Sequence, residues 1–429
     1  MKKLQVALKQ HTPLIHFQHY QDGATLRASE VKPQLDRFIL TVLGNGDYEK
    51  GKCIAGNKGW LKGEHPALNY RMTIVPGKNV NVLVDDINTP SKERDGSLRR
   101  NNKGKIKLNP YPAFFANMDT DYESPEEYRR FSMVERLDMT LYFPDKIDLS
   151  SSLYRYISES NALSRFFLLH NFGMRASKGF GSFYIAEEDD LYVTPQALSD
   201  YTNYEFQVCQ KEDTAYNRKP VKKKDEYQNL FRIIELFYKS LRGGINEKSK
   251  SGETQFYFKS LSYKYCTDVL QKKWDKRAIK EFFYHVPAES ALPNCDIKDV
   301  WGFSTVEQWK NQNDTLKKNI AAPGDVPTRM QSPLLFKPLR RDDGTFDVYL
   351  LFKEKQVDLK RFLSYRHVRV TSAKRHNHMN LDLPETFALA DFFDYVFKKL
   401  RIDVATYVDS RFHEHAYYSI LEDIFEQLK

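Results

Sequence analysis

The sequence predicts an α+β protein made of two tandem ferredoxin/RRM-like domains with helical insertions. Three observations carry that expectation. Segments with the two-residue period of strands alternate with segments of helical period over the first half. A second strand-helix opening follows near residue 200. Between them a glycine-rich turn links a helix to a strand.

The elements follow in order. Leu4, Val6 and Leu8 alternate with polar neighbours, as in a half-buried strand. Ser29 is placed to cap a helix whose apolar positions Val31, Leu35, Phe38 and Val42 run to Gly44. Strand patterns cover Arg71 to Val75, Val80 to Val84, Ala113 to Met118 and Glu135 to Phe143. A long helix is expected from Ser151 to His170, then a strand from Ser182 to Ile185. That closes a first domain, 1–195, and opens a second, 196–429. The second begins with Tyr204, Phe206 and Val208 in alternation and a helix from Asp225 to Leu241, ended by Gly243-Gly244. Strands at Ser332 to Leu339 and Phe346 to Phe352 flank a turn at Asp342-Asp343-Gly344. Helices are expected near Pro384 to Leu400 and Ala416 to Leu428. The stretch 260–329 reads as a mostly helical insertion with Trp274, Phe282, Trp301 and Trp309 as its core.

Composition bounds the class. With 429 residues, 41% of them hydrophobic and 14% aromatic, the chain can bury ample core and is not disordered. The net charge of +9 arises from 66 cations against 57 anions, so the placement of charge matters more than its sum. Cys53, Cys209, Cys266 and Cys295 form no CxxC, which suits a reducing compartment and excludes a clustered zinc site. No apolar run approaches the roughly 20 residues that span a bilayer. The expectation is a cytoplasmic protein with no membrane partner and no cofactor.

The run Asn171 to Phe183 concentrates Gly173, Gly179 and Gly181 around Arg175, Lys178, Ser177 and Ser182. Glycines allow positive φ, consecutive amides can cradle an anion, and the cations suit phosphate. The order helix, glycines, strand is the reverse of a mononucleotide P-loop, which points to a polyphosphate backbone such as RNA. A structural hairpin turn is the competing reading.

This loop resembles the glycine-rich loop of the RAMP superfamily, RRM-like RNA-binding proteins of CRISPR systems. Two more blocks resemble one branch of it. The first comprises His11-Thr-Pro-Leu-Ile15, then Gly23 to Lys32 with Arg27-Ala-Ser29, then Leu35-Asp-Arg-Phe38. The second is Arg329-Met-Gln-Ser-Pro-Leu-Leu-Phe-Lys337. Together they are similar to the large RAMP subunit at the target-distal end of type III-B (Cmr) effector complexes. The chain departs from that pattern where Phe38 and Leu40 replace tryptophans, and where Pro33 enters the helix start. The resemblance implies a non-catalytic subunit that contacts the 3′ portion of the guide RNA (crRNA) and the adjoining target RNA. It implies other RAMP subunits, a large polymerase-like subunit and a small helical subunit as partners. It also makes Arg27, Lys32, Arg37 and Arg329 RNA-binding candidates beside the loop.

Three cationic stretches, Lys92 to Lys107, Lys211 to Lys224 and Arg361 to His378, are solvated faces or RNA contacts. The last interleaves Tyr365 and contains no acid, which suits single strands best. Catalytic signals are sparse. His11 and His16 flank the first strand end, where a related guide-processing endoribonuclease could hold a general base. This metal-independent RNA-cutting enzyme is the rival reading. The alternate spacing of His376/His378 and His413/His415 could hold a metal from one strand face, but structural or surface roles are favoured, so no metal site is expected.

Overall fold

The computed structural model describes residues 1–16, 24–63, 67–78, 83–86, 89–93, 95–101, 104–109, 121–122, 130–144, 149–201, 204–208, 226–249, 251–288, 290–309, 312–320, 322, 326–353 and 357–429. Mixed helix and sheet make the chain α+β, as the sequence suggests. The strand expected at Ala113 to Met118, the start of the one at Val80 to Val84, and the cationic stretch Lys211 to Lys224 lie outside the described residues.

The first half is built on four strands: β1 (Lys2–Gln10), β2 (Arg71–Pro76), β3 (Arg136–Phe143) and β4 (Phe183–Ile185). Their order in the sheet is β2-β3-β1-β4, and every neighbouring pair is antiparallel. β1 and β2 therefore run parallel with β3 between them. Helices α1 (Ala28–Leu43) and α2 (Tyr48–Asn57) connect β1 to β2. Helices α3 (Leu149–Glu159) and α4 (Ala162–Leu169) connect β3 to β4.

Alternation in β1 does what its period requires: Leu4, Val6 and Leu8 enter one core with Leu137, Met139 and Leu141 of β3. The buried stripe of α1 is Val31, Leu35 and Ile39, spaced by four; Phe38 is half-buried and Val42 exposed. The helix starts at Ala28, so Ser29 lies inside the first turn and does not cap it. The single helix expected from Ser151 to His170 is broken at Asn161, whose φ of 55° is left-handed, a conformation asparagine tolerates.

The second half repeats part of this plan. It begins with β5 (Tyr204–Val208) and α5 (Glu226–Arg242), followed by the hairpin β6 (Ile245–Lys248) and β7 (Thr254–Phe258). Next come α6 (Leu261–Asp268), α7 (Asp275–Tyr284), β8 (Val306–Trp309) and β9 (Asp314–Asn319). β10 (Leu334–Arg340), β11 (Phe346–Phe352), β12 (His367–Ser372), β13 (His378–Asp382) and α8 (Ala416–Gln427) complete it. β5, β11 and β10 form an antiparallel sheet in that order, so β5 and β10 are parallel with β11 between them. At the outer edge of β5, the Gln427 side-chain amide at the end of α8 accepts from Gln207 N–H (2.6 Å) and donates to Gln207 C=O (3.2 Å).

The two halves share β10 and β11. Leu334 and Phe336 join the core under α5, while Leu335 and Leu339 join the core of the first half. The insertion 260–329 is not mostly helical. After α6 and α7 it supplies β8 and β9 to a four-stranded sheet, β8-β9-β12-β13. Burial of Lys318 between Asp299 (2.9 Å) and Glu307 (2.8 Å) puts a charge at an inward position and hides the alternation of β9. Of the aromatic residues expected in that core, Trp301 is fully buried, Trp274 and Trp309 are half-buried, and Phe282 is exposed.

Candidate nucleic-acid interface

The glycine turn sits where α4 leaves the first core and β4 returns to it. Gly173, Gly179 and Gly181 all have positive φ, and so does Arg175, at 61°. The turn is therefore as strained as its composition suggests, but its amides face protein acceptors. Gly173 N–H donates to Glu30 Oε1 (2.9 Å), Met174 N–H to Ile15 O (2.9 Å) and Gly181 N–H to Pro13 O (2.8 Å). Ser182 N–H donates to Thr12 Oγ1 (2.9 Å). The anion at the Gly173 amide is the chain's own carboxylate, brought there by the first turn of α1. Burial raises the Glu30 carboxyl above its ordinary range, and the Gly173 bond opposes that rise.

The side chains of the turn mostly point into the second half. Lys178 Nζ is closed off from solvent and lies 3.0 Å from the centroid of the Tyr238 ring on α5. Ser182 Oγ donates to Pro338 O of β10 (2.8 Å), and Asn171 Nδ2 donates to Phe336 O (2.8 Å). In return Lys337 Nζ donates to His170 O (2.9 Å) and Phe183 O (2.8 Å), one carbonyl on each side of the turn. Phe180 stacks on Phe231 with centroids 3.5 Å apart. The turn is a latch between the halves, and this corrects the sequence reading of several ligands. Lys178, Ser182 and Gly179 are committed to packing, because β10 and α5 cover the side expected to face RNA, and the Gly173 amide is taken by Glu30 of α1. Lys32 is likewise held inward, 2.6 Å from Asp36 and 4.2 Å from the Tyr70 ring centroid. Arg175, Ser177 and Arg27 are half-buried, and Arg37 and Arg329 are exposed. Arg27 lies close enough to Glu30 and His16 to bias both charges, so α1's start and the turn form one charged neighbourhood.

Burial pulls the Lys178 ammonium down to about 8 from 10.5. Between those values the unfolded chain binds the proton that the folded chain releases, so stability rises with pH through that window. Relative to Lys178→Met, the parent should gain roughly 2 kcal/mol between pH 7.5 and 10. Urea unfolding of both proteins at the two pH values measures it; parallel curves would refute the assignment.

Matches to known proteins bear on the whole of this frame. A family model described as the Cmr1 N-terminal domain matches residues 1–245, and one described as the Cmr1 C-terminal domain matches 257–424. The chain belongs to the Cmr1 family. Its first family segment extends through α5, which receives Lys178 and Phe180 of the glycine turn. No curated protein matches it. Solved structures similar to it include a chain of the type III-B Cmr-beta bound to cognate target RNA and AMPPnP in the presence of ssDNA. That likeness is at 12% identity and TM-score 0.33, covering 83% of this chain and 96% of the other. Cmr1 from Pyrococcus furiosus in its apo form is similar at 11% identity and TM-score 0.31, covering 82% and 88%. A chain of Cmr-beta bound to cognate target RNA is similar at 11% and 0.33, covering 99% of each.

In this Cmr1-family chain His11 is buried at the end of β1. Its Nδ1 accepts the Arg340 N–H (2.8 Å), which places the ring proton on Nε2. Burial, with Lys337 and Lys9 nearby, drives it down to about 3, so it is neutral at physiological pH. The ring therefore presents no free lone pair to abstract a proton. Three of the paired histidines have local partners. His378 meets Arg369 at 2.7 Å, His413 Nε2 contacts Val408 O at 2.9 Å, and His415 Nδ1 accepts from Tyr417 N–H at the start of α8. The stretch Arg361 to His378 is a helical turn (Leu359–Ser364) followed by β12 and the β12-β13 connection. Sequence reading missed Glu30, Tyr238 and Lys337. Lys337 had a signal: it interrupts an apolar run without alternation, the mark of a strand covered on both faces.

No helix among the described residues is long and apolar enough to cross a membrane.

Proposed function

We propose that this chain is a non-catalytic RNA-binding subunit of a type III-B CRISPR ribonucleoprotein in the cytoplasm. In this reading it contacts the 3′ portion of the guide RNA and the adjoining target RNA, with other RAMP subunits as neighbours. The observation that carries the reading is the pair of Cmr1 family models, which together match nearly the whole chain. We take the first half, with its β-α-β-β-α-β order, as a ferredoxin-like domain over 1–195. The second, 196–429, is the same unit with the end of α8 standing beside β5 where a fourth strand would pair. The tautomer of His11 supports the absence of catalysis.

The candidate phosphate ligands are the cations that reach solvent: Arg27 and Arg175 in the charged neighbourhood of the turn, with Arg37 and Arg329. A charge-assisted hydrogen bond is worth about 1.5–3 kcal/mol. Arg27→Ala with Arg175→Ala should therefore weaken binding of a guide-derived single strand tenfold or more. The salt slope should fall by about 0.7 for each phosphate that these arginines neutralise in the parent. Fluorescence anisotropy of purified protein with labelled RNA at several salt concentrations reads both. An unchanged Kd and slope would defeat the assignment. A time course with end-labelled repeat RNA in chelator tests the endoribonuclease: a discrete cut abolished by His11→Ala would promote it.

A further inference from the structure

The second half holds a recess that the glycine turn does not reach. It has a volume of about 560 Å³ and lies between the end of α5, the β6-β7 hairpin and the start of α7. Its lining includes Arg232, Lys239, Lys248, Lys259, Lys276 and Lys280, against a single acid, Glu247. Its walls also carry Tyr257, Trp274 and Tyr417. We propose that this recess binds one nucleotide of a single-stranded RNA, its phosphate among the lysines and its base against the aromatic wall.

The two ingredients have separate physical jobs. Clustered cations supply sequence-independent attraction to the backbone, and aromatic faces accept any base by stacking. Some of the cations are already engaged. Lys239 pairs with Glu235 at 2.7 Å, and Lys276 Nζ donates to Gly243 O at 2.6 Å, which caps the C-terminal end of α5. Lys259 lies 3.6 Å from the Tyr263 ring centroid. These three lining cations already have protein partners. Lys248, on the hairpin, and Lys280, on α7, are exposed at its rim and approach from opposite walls. Tyr257 is a large aromatic left 44% exposed on β7. Exposed apolar area beside concentrated positive charge is what a stacked base and its phosphate would cover together. An acidic protein segment could use the charge, but would leave the aromatic wall without a matching planar partner. The volume suits a ligand of nucleotide size.

The proposal rests on the RNA-binding reading but concerns residues that reading does not use, so the two can fail separately. The test is the full chain with labelled oligouridine of about 20 nucleotides, a length beyond the roughly 4–16 that one single-strand module occupies. Lys248→Glu with Lys280→Glu should weaken binding tenfold or more and lower the salt slope by about 1.4, for two phosphates. Tyr257→Ala should weaken it about tenfold with the slope unchanged, because stacking carries no counterion release. Photocrosslinking with 4-thiouridine RNA should label the peptide that contains Tyr257. If the parent binds RNA and the variants match it in affinity and slope, the recess is not a site, while the functional reading stands. If the parent binds no RNA, both fall. Tight binding of uridine monophosphate with unaltered RNA affinity in the variants would assign the recess to a free nucleotide instead. Loss of a partner subunit with unaltered RNA affinity would assign it to an acidic protein. Either result overturns the proposal.

Discussion

Lys337→Ala should destabilise the protein by about 3–5 kcal/mol, with the two halves losing their tie before either core melts. The lysine is fully buried in β10, and its ammonium donates to His170 O and Phe183 O. Alanine leaves both carbonyls without that donor, at about 1–3 kcal/mol for each buried group, and also leaves a cavity where the four-carbon stem lay. Burial, reinforced by Lys353, pushes the Lys337 ammonium well below its ordinary value. A base with a depressed folded pKa releases its proton on folding, so its penalty is largest at low pH and fades as pH rises toward 10.5. Lys337→Met also removes both bonds but keeps the stem volume and removes a buried charge, so it should cost less than alanine by the cavity term and should flatten that pH dependence. Urea unfolding of the three proteins at neutral and alkaline pH decides it. An alanine variant as stable as the parent, or a methionine variant worse than alanine, would show that the ammonium is not the tie.

What sequence could and could not reveal follows from how far apart the interacting groups lie. β1 was legible because its partners cover one face, leaving Leu4, Val6 and Leu8 in plain alternation. β10 was legible as a strand from its apolar run, but its meaning was not. Only the folded chain shows that the run serves two cores at once, through Leu334 and Phe336 on one side and Leu335 and Leu339 on the other. The glycine turn was legible as a strained backbone, and Gly173, Gly179 and Gly181 have the positive φ their type allows. Its open face was not legible. Glu30, which fills the Gly173 amide, is 143 residues away, and Pro338, which accepts from Ser182, is 156 residues away. Nothing local in Arg175-Ala-Ser-Lys178 says which cation is roofed over. The break between α3 and α4 is not visible in the sequence because Asn161 can sit within helical period yet adopts the left-handed conformation that ends it.

Gly181→Val should be the most damaging single change in the turn, costing more than about 4 kcal/mol and preventing accumulation of folded protein at 37 °C. A Cβ at this position would stand 2.0 Å from Phe172 O and 3.1 Å from Leu14 Cδ1. The close atom is backbone, and it belongs to Phe172, whose own N–H donates to Gly181 O at 2.9 Å. Relief by shifting Phe172 would break that bond, and Gly181 N–H is held at 2.8 Å by Pro13 O from the other side. A φ of 63° adds strain for any side chain, most of all for a β-branched one. Gly179 makes the useful comparison. Its φ is 91°, but the nearest atom to an added Cβ is Pro338 Cγ at 3.0 Å, a side chain that can yield a little. Gly179→Val should therefore lower the melting temperature less than Gly181→Val, and Arg175→Ala, which removes only a half-buried side chain, should lower it least. Soluble yield and thermal melts of the three variants give the ranking. If both valine variants melt with the parent, the turn is not the rigid latch that these contacts require.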